Sequence, residues 1–301
     1  MYIFIFIQFF FPFFFPLIEC SICNYFFFMH TSSLTIVMVA YKPKIDLLKS
    51  LICKFNTNYP IIIVNNSEEK LDKNLYELDN LKIIDAEKNL GNGAGINRCL
   101  NNCNTNLALY LDIDVEFDNS SLEQLLNYSK KHNNFSVLVP NGQNKIYKEE
   151  IIKKWDIEGS VMLINKKTIN NKVQFDENYF LYFEEIDFFF NCLKKGLNVF
   201  FIPKVKFKHN NASSIDEKKV GNIKKINLLR EWHYMWSQFY FYKKNFSLLK
   251  ALQKCLPFFF KDIAILIMSI FKLNLDKISF RSIRISGFLS SLFNLKSKKR
   301  I

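Results

Sequence analysis

Two hydrophobic rhythms alternate along the first half of the chain. Leu34 to Ala40 is a continuous apolar, β-branched run of the length of a buried strand, and in Ile45 to Phe55 apolar residues return at helical spacing. Ile61 to Val64 and Leu81 to Asp85 read as further strands, Ile96 to Cys103 as a short helix, and Leu107 to Leu111 as a fourth strand. Strands separated by helices predict an α/β fold with a mostly parallel sheet and right-handed crossovers. Ligands of such sheets bind beyond the carboxyl ends of the strands. Ser120-Ser121-Leu122-Glu123 has the form of a capping box and predicts a helix that opens there.

Past Asn210 the rhythm changes. Leu228, Leu229, Trp232, Met235, Trp236 and Phe239 recur at helical spacing, with Arg230, Lys243 and Lys244 around them. Leu256 to Phe271 is strongly apolar, but Lys261 and Asp262 interrupt it and it is short for a membrane span. From Lys272 the tail mixes Lys277, Arg281, Arg284, Lys296, Lys298, Lys299 and Arg300 with Phe, Ile and Leu. Basic charge among aromatic and aliphatic anchors predicts a helical region that lies on an anionic membrane surface.

The chain therefore divides into an apolar extension (1–30), an α/β domain (31–212) and a basic, aromatic helical region (213–301). Met1 to Phe28 is almost wholly apolar and Phe-rich, with Pro12 and Pro16 inside it and Glu19 as its one charge. It has the length of a membrane span or signal anchor, yet no Lys or Arg precedes it as in a signal peptide. The alternative is that translation starts at Met29, since the first strand needs nothing upstream of Leu34.

Composition bounds these readings. With 301 residues, 49% hydrophobic and 23% charged, the chain can bury one sizeable α/β core and is not disordered. Its net charge of +13 suits an anionic partner. The Lys and Arg residues are dispersed and concentrate beside apolar C-terminal segments, which favours a membrane surface over nucleic acid. Seven scattered cysteines make no disulfide framework and fit a reducing cytosolic setting. Cys20 and Cys23 have no second pair at zinc spacing, so their C-x-x-C reads as incidental.

The candidate chemistry starts at Asp112 and Asp114, which end the fourth strand in Leu-Tyr-Leu-Asp-Ile-Asp-Val-Glu-Phe. Strand period puts both carboxylates on one face. Two ionised carboxylates at the mouth of an apolar strand are costly unless something positive lies between them, and a hard divalent cation is one candidate. A strand end followed by a capped helix is the other reading. Asn89-Leu90-Gly91-Asn92-Gly93-Ala94-Gly95-Ile96-Asn97 precedes a helix, and its alternate glycines free the backbone for close approach to a ligand. It matches neither G-x-G-x-x-G nor a P-loop. Phe175-Asp176-Glu177-Asn178-Tyr179-Phe180-Leu181-Tyr182-Phe183-Glu184-Glu185-Ile186-Asp187 sets carboxylates among aromatic rings, which raises proton affinity and suits a general base.

The order of these pieces, from Tyr41 and the strand ending Val64-Asn65-Asn66-Ser67 to the trailing His209-Asn210-Asn211-Ala212-Ser213, resembles glycosyltransferase family 2 over roughly residues 34 to 240. The likeness is greatest to its bacterial rhamnosyltransferase-like members. It implies a GT-A type, Rossmann-like, mostly parallel sheet with flanking helices, and inverting sugar transfer from a nucleoside diphosphate donor. On that resemblance Asp114 and His209 hold Mg²⁺ or Mn²⁺ with help from Asp112. Tyr41, Asn65, Asn89, Gly91, Gly93, Gly95, Asn97 and Asp112 surround the donor, and Glu185 is the base, with Glu184 or Asp187 able to share that role. Two positions depart from the family pattern: Glu185 stands where Asp is commoner, and Asn65 where an Asp usually addresses the pyrimidine.

The resemblance further implies a dTDP- or UDP-sugar donor, a glycan or polyprenyl-linked acceptor, and cell-surface polysaccharide or lipopolysaccharide synthesis at the cytoplasmic face of the inner membrane. The protein would be peripheral there, or anchored if residues 1–30 are translated. A sugar nucleotidyltransferase would open with Gly-x-Gly-Thr-Arg after the first strand, where Val39-Ala40-Tyr41-Lys42-Pro43 stands instead. A non-catalytic nucleotide-sugar or membrane-binding protein is the remaining alternative.

Overall fold

A computed structural model describes residues 34–297 and 299, apart from 144, 211–213 and 220. The apolar extension, the choice between Met1 and Met29, and the Cys20–Cys23 pair lie outside the described residues.

The predicted strands and helices supply the first half of the fold: β1 (Leu34–Ala40), α1 (Ile45–Phe55), β2 (Ile61–Asn65), β3 (Leu81–Asp85), α2 (Asn92–Asn102) and β4 (Leu107–Leu111). Two short segments follow, β5 (Val115–Glu116) and, much later, β10 (Lys208–His209); between them lie α3 (Asn119–Lys131), β6 (Val137–Asn141), β7 (Ile152–Lys153), β8 (Val161–Asn165), α4 (Lys166–Ile169), α5 (Glu184–Lys194) and β9 (Val199–Lys206). The main sheet has eight strands in the order β3-β2-β1-β4-β8-β6-β9-β7. β1 to β4 run parallel, β8 is antiparallel to both β4 and β6, β6 and β9 are parallel, and β7 is antiparallel to β9. Strands β1, β2, β4 and β6 are buried almost throughout, as their unbroken apolar runs require of a sheet covered on both faces.

Two element starts differ from the sequence reading. α2 begins at Asn92, four residues before Ile96, because Gly93 and Gly95 are wound into its first turn. An added Cβ at Gly95 would sit 2.7 Å from Val39, so close packing against β1 outweighs glycine's poor helix propensity. α3 is capped by Asp118, whose side chain accepts a hydrogen bond from the Ser121 N–H, and the Ser120 to Glu123 capping box is not the one used.

Three long helices follow: α6 (Ile223–Asn245), α7 (Leu248–Phe271) and α8 (Leu275–Leu292). α6 and α8 approach closely at Gly287, where a Cβ would fall 2.4 Å from the Trp232 carbonyl oxygen. A second face of α6 packs Trp232, Trp236 and Phe241 on Tyr179 and Phe183 of the acidic-aromatic segment and on Phe190 of α5. The helical region is thereby built onto the site-bearing part of the α/β domain.

Candidate active site

Two separate pairings bring the first cluster together. β4 delivers Asp112 and Asp114 just past its carboxyl end, and the Asp112 N–H donates to the Ser160 carbonyl at 2.9 Å. β5 then pairs antiparallel with β10, placing His209 opposite Val115, while the Asn210 N–H donates to the Asp114 carbonyl at 2.9 Å. His209 Nε2 consequently lies 3.3 Å from Asp114 Oδ1 and 4.0 Å from Asp112 Oδ2. Asp112, Asp114 and His209 each present a ligand atom, all within 4.8 Å of one another.

Charge around His209 explains how these groups coexist. Its other nitrogen, Nδ1, meets the Glu158 carboxylate and lies 3.2 Å from Ser160 Oγ. Asp114 first and Glu158 second hold the imidazole pKa up at about 10, against the opposing effect of burial. The imidazolium is thus the positive charge between the carboxylates when no other cation is there. The donor set also fits a divalent metal: two carboxylates and one imidazole suit Mg²⁺ or Mn²⁺, and Nδ1–H on Glu158 leaves the Nε2 lone pair facing both aspartates. Asp112 is pushed up to about 6, chiefly by burial and then by the Asp114 charge, with Tyr110 opposing.

The second cluster is the acid pair at the start of α5. Tyr182 and Phe183 have φ of 67° and 66°, a left-handed pair of bulky residues held by rings of α6. This bend turns Glu184 and Glu185 toward the carboxyl ends of the strands. Glu184 is buried; Oε1 accepts from Asn92 Nδ2 at 2.9 Å, and Oε2 has no partner among the described residues. Burial lifts Glu184 to about 7, and burial together with the Glu184 charge raises Glu185 well above the ordinary range. Gly159 makes room for this: a Cβ there would lie 2.8 Å from Cβ and Cγ of Glu185. The two clusters are linked by a polar row, in which the Tyr110 hydroxyl lies between the Asp112 carboxylate and Asn92 Oδ1, and Asn92 reaches Glu184.

A cavity of about 370 Å³ joins both clusters. Of the residues singled out in the sequence, Tyr41, Asn89, Gly91, Asp112, Asp114, Glu184, Glu185 and His209 line it. The others are held elsewhere by identifiable contacts. Asn65 is fully buried, with Nδ2 donating to Asp85 Oδ1 (2.8 Å) and the Glu69 carbonyl (2.9 Å). Its neighbour Asn66 lines the cavity instead, as expected from alternation at a strand end. Asn97 binds the Phe175 backbone from both ends of its amide. Asp187 is buried against Lys244 (2.8 Å) and Asn245 (2.6 Å) of α6.

The glycine-rich turn also has a different role from the one its sequence suggested. What approaches it closely is protein: a Cβ on Gly91 (φ 91°) would lie 2.6 Å from the Phe180 oxygen, and one on Gly93 would lie 3.2 Å from Phe175 and 3.3 Å from Glu184. The first helical N–H, of Asn92, is already donated to the Phe180 carbonyl at 3.1 Å.

Glu158, Asn92 and Arg230 line the cavity and were not singled out for chemistry. Glu158 and Arg230 are lone polar residues with no local motif, whereas Asn92 stands inside the glycine-rich turn, where the glycines draw attention away from it. The one available hint was Glu158-Gly159-Ser160, a small-residue break just before an apolar strand.

The pattern of Glycosyl transferase family 2 matches residues 35–193, from β1 into the last turn of α5. The match takes in Asp112, Asp114, Glu184 and Glu185, and ends before His209 and Arg230. The low-salt glycan biosynthesis hexosyltransferase Agl10 of Haloferax volcanii is 24% identical over 196 residues, which cover 55% of this chain. This chain spans 63% of the length of that relative. Among solved structures, S. aureus TarS 1-349 aligns at 12% identity with a TM-score of 0.49, over 87% of this chain and 91% of that one. GalNAc-T7 with UDP, GalNAc and Mn2+ aligns at 13% identity and TM-score 0.49, over 69% and 49%. The mostly parallel sheet, with its acidic pair at the carboxyl end of β4, is of GT-A type. With more than half of its length matched, the chain belongs to glycosyl transferase family 2.

Proposed function

We propose that the protein is an inverting glycosyltransferase that moves a hexosyl group from a dTDP- or UDP-sugar to a hydroxyl of a glycan or polyprenyl-linked acceptor. Its product belongs to cell-surface polysaccharide or lipopolysaccharide synthesis at the cytoplasmic face of the inner membrane. One observation carries the reading: a cavity with a carboxylate–imidazole cluster suited to a metal on one wall and a carboxylate of raised proton affinity, Glu185, on another.

Asp112, Asp114 and His209 would hold Mg²⁺ or Mn²⁺, which would supply positive charge against that growing on a departing nucleoside diphosphate. Glu158 fixes His209 through Nδ1, so that Nε2 is the nitrogen turned to the aspartates. Arg230 adds a cation to the same cavity from α6. Glu185 takes the proton of the attacking acceptor hydroxyl onto its carboxylate; burial and the Glu184 charge match its basicity to that task. Asp187, committed to Lys244 and Asn245, is not placed to act as base, and Glu184 has one of its two oxygens engaged by Asn92. A single base without a covalent sugar intermediate gives inversion.

The test is turnover of UDP- and dTDP-sugars with and without Mn²⁺, by the parent and by Asp114→Ala and Glu185→Gln. Metal-dependent turnover lost in both variants, with unchanged melting curves, is expected. Full activity in either variant overturns the mechanism, and donor binding without turnover across acceptors marks a binding protein.

A further inference from the structure

Helix α7 carries apolar side chains on two faces, one packed on α6 and α8 and the other open to solvent. The side chains it buries are Ala251, Cys255, Asp262 and Ser269, and Asp262 is matched by Arg281 (2.5 Å) and Arg284 (2.9 Å) of α8. The opposite stripe is apolar and open to solvent: Leu249 is 78% exposed, Phe260 60%, Ile267 50% and Phe271 84%. These four are separated by 11, 7 and 4 residues and share one face of a helix roughly 36 Å long. Met268 and Leu273 extend the stripe at its end. A contiguous apolar face of this kind marks an interaction surface rather than a solvated one.

Charge selects the occupant. Lys250, Lys254, Lys261 and Lys272, spaced 4, 7 and 11 residues apart, form a second row alongside the stripe. Residues 223–301 carry 16 Lys and Arg against 3 Asp and Glu, whereas residues 1–222 carry 25 of each. The whole net charge of +13 therefore resides in the helical region. A second copy of the chain would set these rows of like charge against each other, which favours an anionic lipid surface as the partner. No helix among the described residues is long and apolar enough to cross a membrane, so α7 lies along the surface.

We propose that the exposed face of α7 is a membrane-docking surface, its Leu, Phe and Ile side chains inserted among acyl chains and its lysine row on anionic headgroups. None of these α7 residues lines the cavity, so membrane docking and transfer activity fail separately. Co-sedimentation with phosphatidylglycerol/phosphatidylcholine vesicles tests it on the full chain. Binding is expected to weaken more than tenfold in the triple variant Phe260→Ser, Ile267→Ser, Phe271→Ser. It should also weaken, with a shallower salt dependence, in the quadruple lysine-to-glutamine variant at 250, 254, 261 and 272. A photoreactive benzoylphenylalanine in place of Phe271 reports the occupant directly, whatever other part of the chain meets lipid. A lipid adduct is expected on irradiation with vesicles. A protein adduct instead, no adduct, or unchanged binding by the triple variant overturns the proposal.

Discussion

Glu184 and Glu185 are adjacent in sequence but differently engaged, and the difference sets two pH responses. On the proposed mechanism transfer needs Glu185 ionised, while burial and the Glu184 charge disfavour that form. Thus kcat/KM falls as pH is lowered, along a limb above the ordinary glutamate range, and a pH–rate profile will show it. Glu185→Gln is expected to remove the limb and lower kcat by about 10²–10⁴, with donor affinity by calorimetry retained. Stability responds in the opposite sense. The Glu184 pKa rises from 4.5 to about 7 in the folded chain, so between these values the folded state binds more protons than the unfolded one. Its contribution is complete below pH 4.5 and is lost as pH rises through about 7. Glu184→Gln should stabilise the chain at pH 8 by on the order of 3 kcal/mol in urea unfolding, and have little effect at pH 4.

At the scale of elements, the acidic-aromatic segment divides its carboxylates between the cavity and attachment to α6. Glu184 and Glu185 face the cavity, whereas Asp176 and Asp187 share Lys244 of α6 at 2.7 and 2.8 Å. Asp187→Ala leaves Asn245 and half of the Lys244 clamp unmatched, and is expected to cost about 3 kcal/mol in urea unfolding. Gly91→Ala places a Cβ against the Phe180 carbonyl at a φ that L residues rarely adopt, a cost of roughly 1–3 kcal/mol by the same measurement.

These roles separate what the sequence could show from what it could not. β1, α1, β3 and β4 were legible to the residue because each is one uninterrupted hydrophobic pattern. Asp112, Asp114 and Glu185, which line one cavity, stood out in the sequence because their neighbours form long motifs. The reversed direction of β8 was not legible, since strand direction leaves no local mark in a short apolar run. Nor were Glu158 and Arg230, which meet the site only through contacts distant in sequence. Asn65 misled because a strand end turns by one residue, and that turn exchanges Asn65 for Asn66.

Across the whole molecule, a balanced α/β part carries the cavity and a strongly basic helical part carries both an exposed apolar face and one wall of that cavity. The division at residue 212 is visible in sequence composition, but the contacts cross it at Arg230 and Lys244, and at Ser237, whose hydroxyl donates to the Leu181 carbonyl at 2.9 Å. A chain ending at residue 212 is accordingly expected to melt at lower temperature and lose donor binding.

The Lys244 clamp also carries information about time. Asp187 is synthesised 57 residues before its partner, an interval of roughly 3–11 s at ~5–20 residues per second. During that interval Asp176 and Asp187 lack the lysine that binds both of them in the folded chain. The ion pairs that join the two parts of the chain therefore close only after α6 has been made.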